Sequence, residues 1–79
     1  MEAAIKQGPS IDPQVFSLSE REYQVLLLIV EGLSDKEIAV PLGISRFTVN
    51  KHVRAIMSKM TASSRTEAAV RALRMGLVA

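Results

Sequence analysis

Basic side chains that could bind phosphate groups are concentrated in the middle of the 79-residue chain. Between Glu37 and Glu67 there is no acidic residue, whereas the same stretch contains five basic ones: Arg46, Lys51, Arg54, Lys59 and Arg65. The net charge is only +2, but residues 38–79 hold seven bases against one acid, and residues 1–37 hold seven acids against three bases. A folded stretch of one charge sign generates a local positive potential. The pattern therefore indicates either an anion-binding surface or a solvated helix face.

No other set of side chains has the types and spacing that catalysis or metal binding needs. The chain has no cysteine and a single histidine, His52, so a thiolate or histidine metal site is not expected. The four glycines are scattered and do not form a phosphate-binding loop. Glu20 and Glu22 point to different sides of a helix, which makes them a poor acid–base pair. We therefore expect no enzymatic activity and no cofactor.

The distribution of apolar residues predicts a cytoplasmic protein without a membrane segment. The longest strictly apolar run, Val25–Val30, is far shorter than the roughly 20 residues that a membrane helix needs. The N-terminal sequence MEAAIKQGPS has neither the basic nor the apolar region of a signal peptide. Hydrophobic residues make up 48% of the chain and aromatic residues 4%, which favours a packed helical domain over a disordered chain.

Helix start and stop signals recur after residue 17. The capping-box pattern, a serine followed three residues later by a glutamate, occurs three times, at Ser19, Ser34 and Ser64. A further serine, Ser45, precedes another apolar-periodic segment, and stop signals follow at Gly32, Gly43 and Gly76. These signals predict helices at about 19–31, 34–42, 45–60 and 64–75. The predicted fold is all-α and tetrahelical, in a domain that covers residues 17–79.

Two segments depart from this regular pattern. Residues 1–16 contain Gly8, Pro9 and Pro13 without apolar periodicity, and we predict a linker or N-terminal arm there. Pro41 lies inside the second predicted helix, where it lacks the N–H that would bond to the carbonyl of Glu37. We expect a kink or a tightened last turn at this position.

The second and third predicted helices form a helix-turn-helix. Only about three residues around Gly43 separate them, and a connection that short makes the helices cross steeply. On the third helix an apolar stripe must face the core, namely Val49, Val53, Ile56 and Met60. The opposite face carries Phe47, Asn50, Lys51, Arg54 and Ser58. Asn, Lys and Arg side chains can bind base edges in the major groove, so this arrangement favours DNA binding over a plain helical bundle.

The order of short sequence blocks resembles the LuxR-type helix-turn-helix domain, and within it the NarL/FixJ response-regulator effector subgroup. The blocks run from residue 18 to residue 68: Leu18-Ser19-Glu20-Arg21-Glu22, Glu31-Gly32-Leu33-Ser34, Lys36-Glu37-Ile38-Ala39, Leu42-Gly43-Ile44-Ser45, Thr48-Val49, His52-Val53, Ile56-Met57, Lys59-Met60 and Ser64-Arg65-Thr66-Glu67-Ala68. The resemblance covers residues 17–77. It implies dimeric, sequence-specific binding of double-stranded DNA and control of transcription, with RNA polymerase as a further partner.

The composition of the third helix and this resemblance together select the candidate DNA contacts. Base contacts are expected from Asn50, Lys51 and Arg54, which lie on the outward face of the third helix. The resemblance implies base contacts at the same three positions. Residues at helix ends and flanks are the expected phosphate contacts: Lys36, Ser45, Arg46, Thr48 and Lys59. Each of these could equally be an ordinary solvated side chain, and the resemblance favours Thr48 and Lys36 most. His52 lies at the margin of the apolar stripe and is interpreted as a structural histidine in preference to a pH switch.

The last helix is apolar over an arc too wide for one buried face. Ala68, Ala72 and Met75 form one stripe, and a second stripe comprises Ala69, Val70 and Leu73. We expect the second stripe to face another copy of the chain, although both stripes could be buried in a monomer. A helical protein-interaction module that docks a partner through helix 64–75 is the alternative function.

The N-terminal residues carry a weaker resemblance. Glu2-Ala3-Ala4-Ile5 and Ile11-Asp12-Pro13, with Val15, look like the end of a receiver domain and the linker after it. The chain would then be the effector part of a longer two-component response regulator. An unrelated polar arm explains these residues equally well.

Overall fold

The computed structural model describes residues 13–78 and consists of helices. One 3-10 turn at Pro13–Phe16 precedes four α-helices: α1 (Glu20–Val30), α2 (Asp35–Leu42), α3 (Arg46–Met60) and α4 (Arg65–Arg74). No strand occurs within 13–78. The four predicted helices are confirmed to within one residue at each end, and so is the all-α fold. The receiver-like residues 2–5 and most of the predicted arm lie outside the described range.

Serine side chains cap the N-terminus of every α-helix. The Oγ atoms of Ser19, Ser34, Ser45 and Ser64 each accept a hydrogen bond from the backbone N–H three residues later. In α1 and α2 the glutamate of the capping box also accepts from the N–H of the serine. These reciprocal bonds satisfy backbone donors that have no partner inside the helix.

The predicted capping box at α4 is only half formed. The carboxylate of Glu67 accepts from the backbone N–H and hydroxyl of Ser63, and not from the N–H of Ser64. Ser64 has a φ of −153°, whereas Ser19 has −71°. This more extended backbone at Ser64 leaves the N–H of the preceding residue as the donor to Glu67.

All four α-helices end in the same arrangement of backbone hydrogen bonds. At α2, the N–H of Ile44 donates to Ala39 O at 3.2 Å, and the N–H of Gly43 donates to Val40 O at 3.2 Å. This pair of bonds is the Schellman motif, which needs a residue with positive φ at its centre. Gly43 has a φ of 65°. The predicted stop signals at positions 32, 43 and 76 are confirmed as the central residues of three such motifs.

The fourth Schellman motif, at the end of α3, has a threonine at its centre. Thr61 has a φ of 54°, which is unfavourable for a β-branched residue. Its N–H still donates to Ser58 O at 3.2 Å, and the N–H of Ala62 donates to Met57 O at 2.8 Å. The guanidinium of Arg71 on α4 donates to the carbonyl oxygens of Met60 and Thr61. The carbonyl groups at the end of α3 are thus hydrogen-bonded both within the Schellman motif and to α4.

Pro41 does not interrupt α2. The helix continues through Leu42, and the exposed proline lies in its last turn, where the Schellman bonds close the end. The bond from the Gly43 N–H to the carbonyl three residues back is not particular to this helix, because the other three helices end with the same bond.

The hydrophobic core forms where α1, α3 and α4 meet, with α2 packed mainly on α3. The predicted apolar stripe of α3 is buried, with Val49 and Ile56 fully inaccessible to solvent. Both Phe16 and Tyr23 pack against this core, and the Tyr23 hydroxyl donates to Leu77 O at 3.1 Å. In the range 13–78, no helix has the length and apolar character needed to cross a membrane.

Candidate nucleic-acid interface

The helix-turn-helix consists of α2, a three-residue connection at 43–45, and α3. Ser45 fixes the start of α3, because its Oγ accepts from the N–H of Thr48 at 3.1 Å. The hydroxyl of Thr48 lies 3.1 Å from the same Oγ. Ser45 and Thr48, two of the predicted phosphate contacts, therefore also take part in the N-terminal cap of α3, the helix that carries the predicted base contacts.

The buried stripe of α3 determines which of its side chains face solvent. With that stripe in the core, the opposite side is exposed along the length of the helix. We call this side the outer face of α3; it comprises Phe47, Asn50, Lys51, Arg54 and Ser58. The predicted base contacts Asn50, Lys51 and Arg54 are thus together on one solvent-accessible surface.

Asn50 takes part in a side-chain network that connects α3 to the starts of α2 and α4. Its Nδ2 donates to the Oδ2 of Asp35, the first residue of α2, at 3.3 Å. The other carboxylate oxygen of Asp35 is paired with the guanidinium of Arg65, the first residue of α4. Arg65 also donates to Leu33 O at 3.0 Å. The network was not predicted, because residues 15 and 30 positions apart carry no local signal of their contact.

Lys36 and Arg46 lie where predicted, at the exposed starts of α2 and α3. They line one shallow depression on the surface together with Asp35 and Arg65. The guanidinium carbon of Arg46 lies 5.7 Å from the centre of the Phe47 ring. Among the predicted phosphate contacts, Lys36, Ser45 and Arg46 are exposed and Thr48 is half-buried.

Lys59, the remaining predicted phosphate contact, is exposed and also makes polar contacts within the domain. Its Nζ donates to the Glu22 carboxylate at 2.7 Å and to Ser17 O at 3.0 Å. Burial of Glu22 raises the pKa of its carboxyl, but hydrogen bonds from Lys59 and from the Ser19 N–H outweigh this effect and lower the pKa below its usual value. The Lys59 ammonium therefore neutralises a nearly buried carboxylate that joins α1 to α3. The sequence reasoning missed this pair, whose partners are 37 positions apart.

The two apolar stripes of α4 differ in their burial. Ala68 and Ala72 are fully buried and close the core, and Met75 is half-buried. On the other stripe, Val70 is 40% exposed and Leu73 is 49% exposed. Ala69 is half-buried, and it lines with Val70 and Leu73 a groove between α4 and the end of α1. Large apolar side chains are thus left accessible on the stripe that was expected to face a second copy.

The remaining predictions concern metal ions and His52. In the described part of the chain, no group of three or more histidine, cysteine, aspartate or glutamate side chains is placed to hold a metal ion. His52 is half-buried on α3, next to the core stripe, as expected for its position.

Comparisons with known proteins identify the fold and the family. The sequence profile described as bacterial regulatory proteins, luxR family, matches residues 16–72. The transcriptional regulatory protein LiaR of Bacillus subtilis is 48% identical over 62 residues, which are 78% of this chain and 29% of LiaR. The response regulator protein VraR of Staphylococcus aureus is 43% identical over 61 residues, 77% of this chain and 29% of VraR. The chain thus spans less than a third of the length of these relatives.

Among solved structures, the transcription factor GerE is similar in fold and sequence. It superposes with a TM-score of 0.68 and 36% sequence identity, over 75% of this chain and 88% of the GerE chain. With four helices, a helix-turn-helix and a profile match over most of its length, the chain is a LuxR-type helix-turn-helix domain and belongs to the luxR family of bacterial regulatory proteins.

Proposed function

We propose that this domain binds DNA sequence-specifically as a dimer and controls transcription, with α3 lying in the major groove. The observation that carries the proposal is the outer face of α3. A buried stripe fixes the rotation of the helix, and this leaves Asn50, Lys51 and Arg54 pointing away from the core. Recognition helices in helix-turn-helix proteins contact base edges with such side chains.

The chemistry of the three side chains suggests which bases they contact. Lys51 and Arg54 carry donors that match the O6 and N7 acceptors of guanine. Asn50 can donate to N7 and accept from N6 of adenine. One of the two N–H donors of the Asn50 amide is used by Asp35 in the free protein, which leaves the second donor and the amide oxygen for adenine. Each good base contact contributes about 1–3 kcal/mol of discrimination.

Phosphate contacts would position α3 in the groove without selecting a sequence. Lys36, Arg46, Ser45 and Thr48 lie at the starts of α2 and α3, where free backbone N–H groups and the positive end of the helix dipole also favour an anion. Lys59 completes this set; its exposed ammonium is paired with Glu22 in the free protein, so a phosphate would share this ammonium with the Glu22 carboxylate.

The dimer would form through the exposed stripe of α4. Val70 and Leu73 are accessible, and Ala69 beside them permits close approach of a second helix. By analogy with the response regulator protein VraR, the domain would be the effector part of a response regulator. We propose that it acts in the cytoplasm, with RNA polymerase as a partner.

Alanine variants of the proposed base and phosphate contacts test the proposed function. The variants Lys51→Ala and Arg54→Ala should reduce the ratio of affinity for a selected DNA site to affinity for random DNA, measured at one salt concentration. Lys36→Ala and Thr48→Ala should weaken binding to both DNAs alike, because phosphates carry no sequence information. The matched control Arg21→Ala removes one charge from an exposed position of α1 and should leave the ratio unchanged. A ratio that survives in both Lys51→Ala and Arg54→Ala would contradict the assignment of the outer face.

The exposed apolar residues of α4 also fit an alternative, a module that docks a protein partner through this helix. Val70 and Leu73 would then contact the partner, and the basic residues would have no ligand. Titration of duplex DNA at two salt concentrations separates the two functions. DNA binding weakens steeply with salt because phosphate contacts release counterions, whereas apolar docking depends little on salt.

A further inference from the structure

Phe47 is an exposed aromatic residue on the outer face of α3. Its side chain is 76% exposed, although it is one of only two phenylalanines in the chain and the other packs against the core. Its ring lies under the guanidinium of Arg46, itself exposed, at 5.7 Å. The fold uses little of this ring for packing, so most of the ring is accessible to a ligand that lies on the outer face of α3.

The position of Phe47 relates it directly to the proposed base contacts. Asn50, Lys51 and Arg54 lie three, four and seven residues after Phe47. Side chains at these spacings lie on the same side of a helix. Phe47 is therefore the N-terminal member of one row, in the first turn of α3, and residues near the N-terminus of a recognition helix contact base edges.

We infer that Phe47 binds the 5-methyl group of a thymine in the major groove and makes the domain select thymine at one position of its site. This inference rests on the proposed function and extends it to a residue without hydrogen-bonding groups. The thymine methyl is the one apolar group that the base pairs present in the major groove, and apolar side chains, phenylalanine among them, recognise it by contact.

The helix geometry places this thymine near the base pair that Asn50 contacts. One helical turn, about 5.4 Å, separates Phe47 from Asn50 and Lys51 along α3. Successive base pairs are about 3.4 Å apart along the duplex. The thymine should therefore lie one or two base pairs from the position whose preference is lost in Asn50→Ala.

Replacement of thymine by deoxyuridine tests the inference, because it removes only the methyl group. A site is first selected from random duplex DNA with the 79-residue chain. Each thymine of that site is then replaced in turn, and affinity is measured for the wild type, Phe47→Ala and Phe47→Leu. At one thymine, the replacement should lower wild-type affinity about fourfold, the fold-change for one buried methyl-sized group. In Phe47→Ala the same replacement should have no effect, and Phe47→Leu should keep part of it.

Val40→Ala is the matched control. Val40 is also apolar and 78% exposed, but it lies on α2, away from the outer face of α3. This variant should keep the wild-type response to deoxyuridine at every position. Thermal unfolding should be unchanged in both alanine variants, because both side chains are exposed.

The possible outcomes separate this inference from the proposed function. If a site is selected but Phe47→Ala keeps the full response at every thymine, or the site has no thymine within two base pairs of the Asn50 position, Phe47 does not read a methyl group. In that case the DNA-binding function stands. If no sequence is enriched at all, the proposed function fails and this inference fails with it.

Discussion

Thr61 gives the strongest prediction about stability, because its left-handed backbone conformation is unfavourable for a β-branched side chain. A left-handed conformation costs an L-amino acid about 1–2 kcal/mol, and Thr61 adopts it with a φ of 54° and a ψ of 45°. Glycine adopts the conformation without this cost but loses about 0.4–1 kcal/mol through the greater freedom of the unfolded chain. The Thr61 side chain is exposed, so its removal forfeits little packing. The balance for Thr61→Gly is a gain of about 0.8 kcal/mol in the free energy of unfolding.

For a domain of this size, about 0.8 kcal/mol corresponds to a rise in Tm of about 3–6 °C. Thermal and urea unfolding followed by circular dichroism measure the change, and the urea m-value should be unchanged. Two controls isolate the cause. Thr61→Ala retains the Cβ atom and should shift the Tm much less than Thr61→Gly, whereas Ser58→Gly, in the helical part of α3, should lower stability by about 0.5 kcal/mol. An unchanged or lower Tm in Thr61→Gly, with Ser58→Gly behaving as expected, would refute the reasoning.

Two further predictions concern the ion pair and the exposed stripe of α4. The pKa of Glu22 is lowered in the folded state, so its stabilising contribution is complete above the pKa of the unfolded chain and is lost as the pH falls through the lowered value. The Tm of the wild type should therefore fall in acid, and that of Glu22→Gln should fall less over the same pH range. Leu73→Glu should abolish cooperative binding to two half-sites about one helical turn apart while leaving binding to a single half-site intact. An unfolded Leu73→Glu protein would show instead that Leu73 belongs to the core.

The fold could be predicted because its signals are local. The serine caps, the glycine stops and the apolar periodicity of α3 each act within about one helical turn, and all of them appear in the structure. The orientation of the outer face of α3 follows from the same periodicity. The left-handed conformation of Thr61 was not predicted, because no glycine or asparagine marks the end of α3 in the sequence.

The candidate site could be predicted only in part, because tertiary pairing determines which charges remain available. Lys59 and Lys51 are both exposed basic residues of α3, yet Lys59 forms an ion pair with Glu22 and Lys51 lies on the outer face. The carboxylate of Asp35 pairs with Arg65 and accepts a hydrogen bond from Asn50. A single acid on α2 therefore engages two side chains from the acid-free stretch between Glu37 and Glu67. Residue type and spacing along one helix contain no information about such partners on another helix.

The composition of α2 has a consequence for local unfolding. Ile38 is the one fully buried side chain that this eight-residue helix contributes to the core, and Pro41 removes one of its few backbone hydrogen bonds. Segments with few buried apolar contacts open at lower free energy than the whole domain does. Amide hydrogens of α2 should therefore exchange with solvent through local opening, earlier than those of α1 and α3. A ligand that binds at the start of α2 would slow exchange there first, and the protection pattern would report contact with this helix without a structure of the complex.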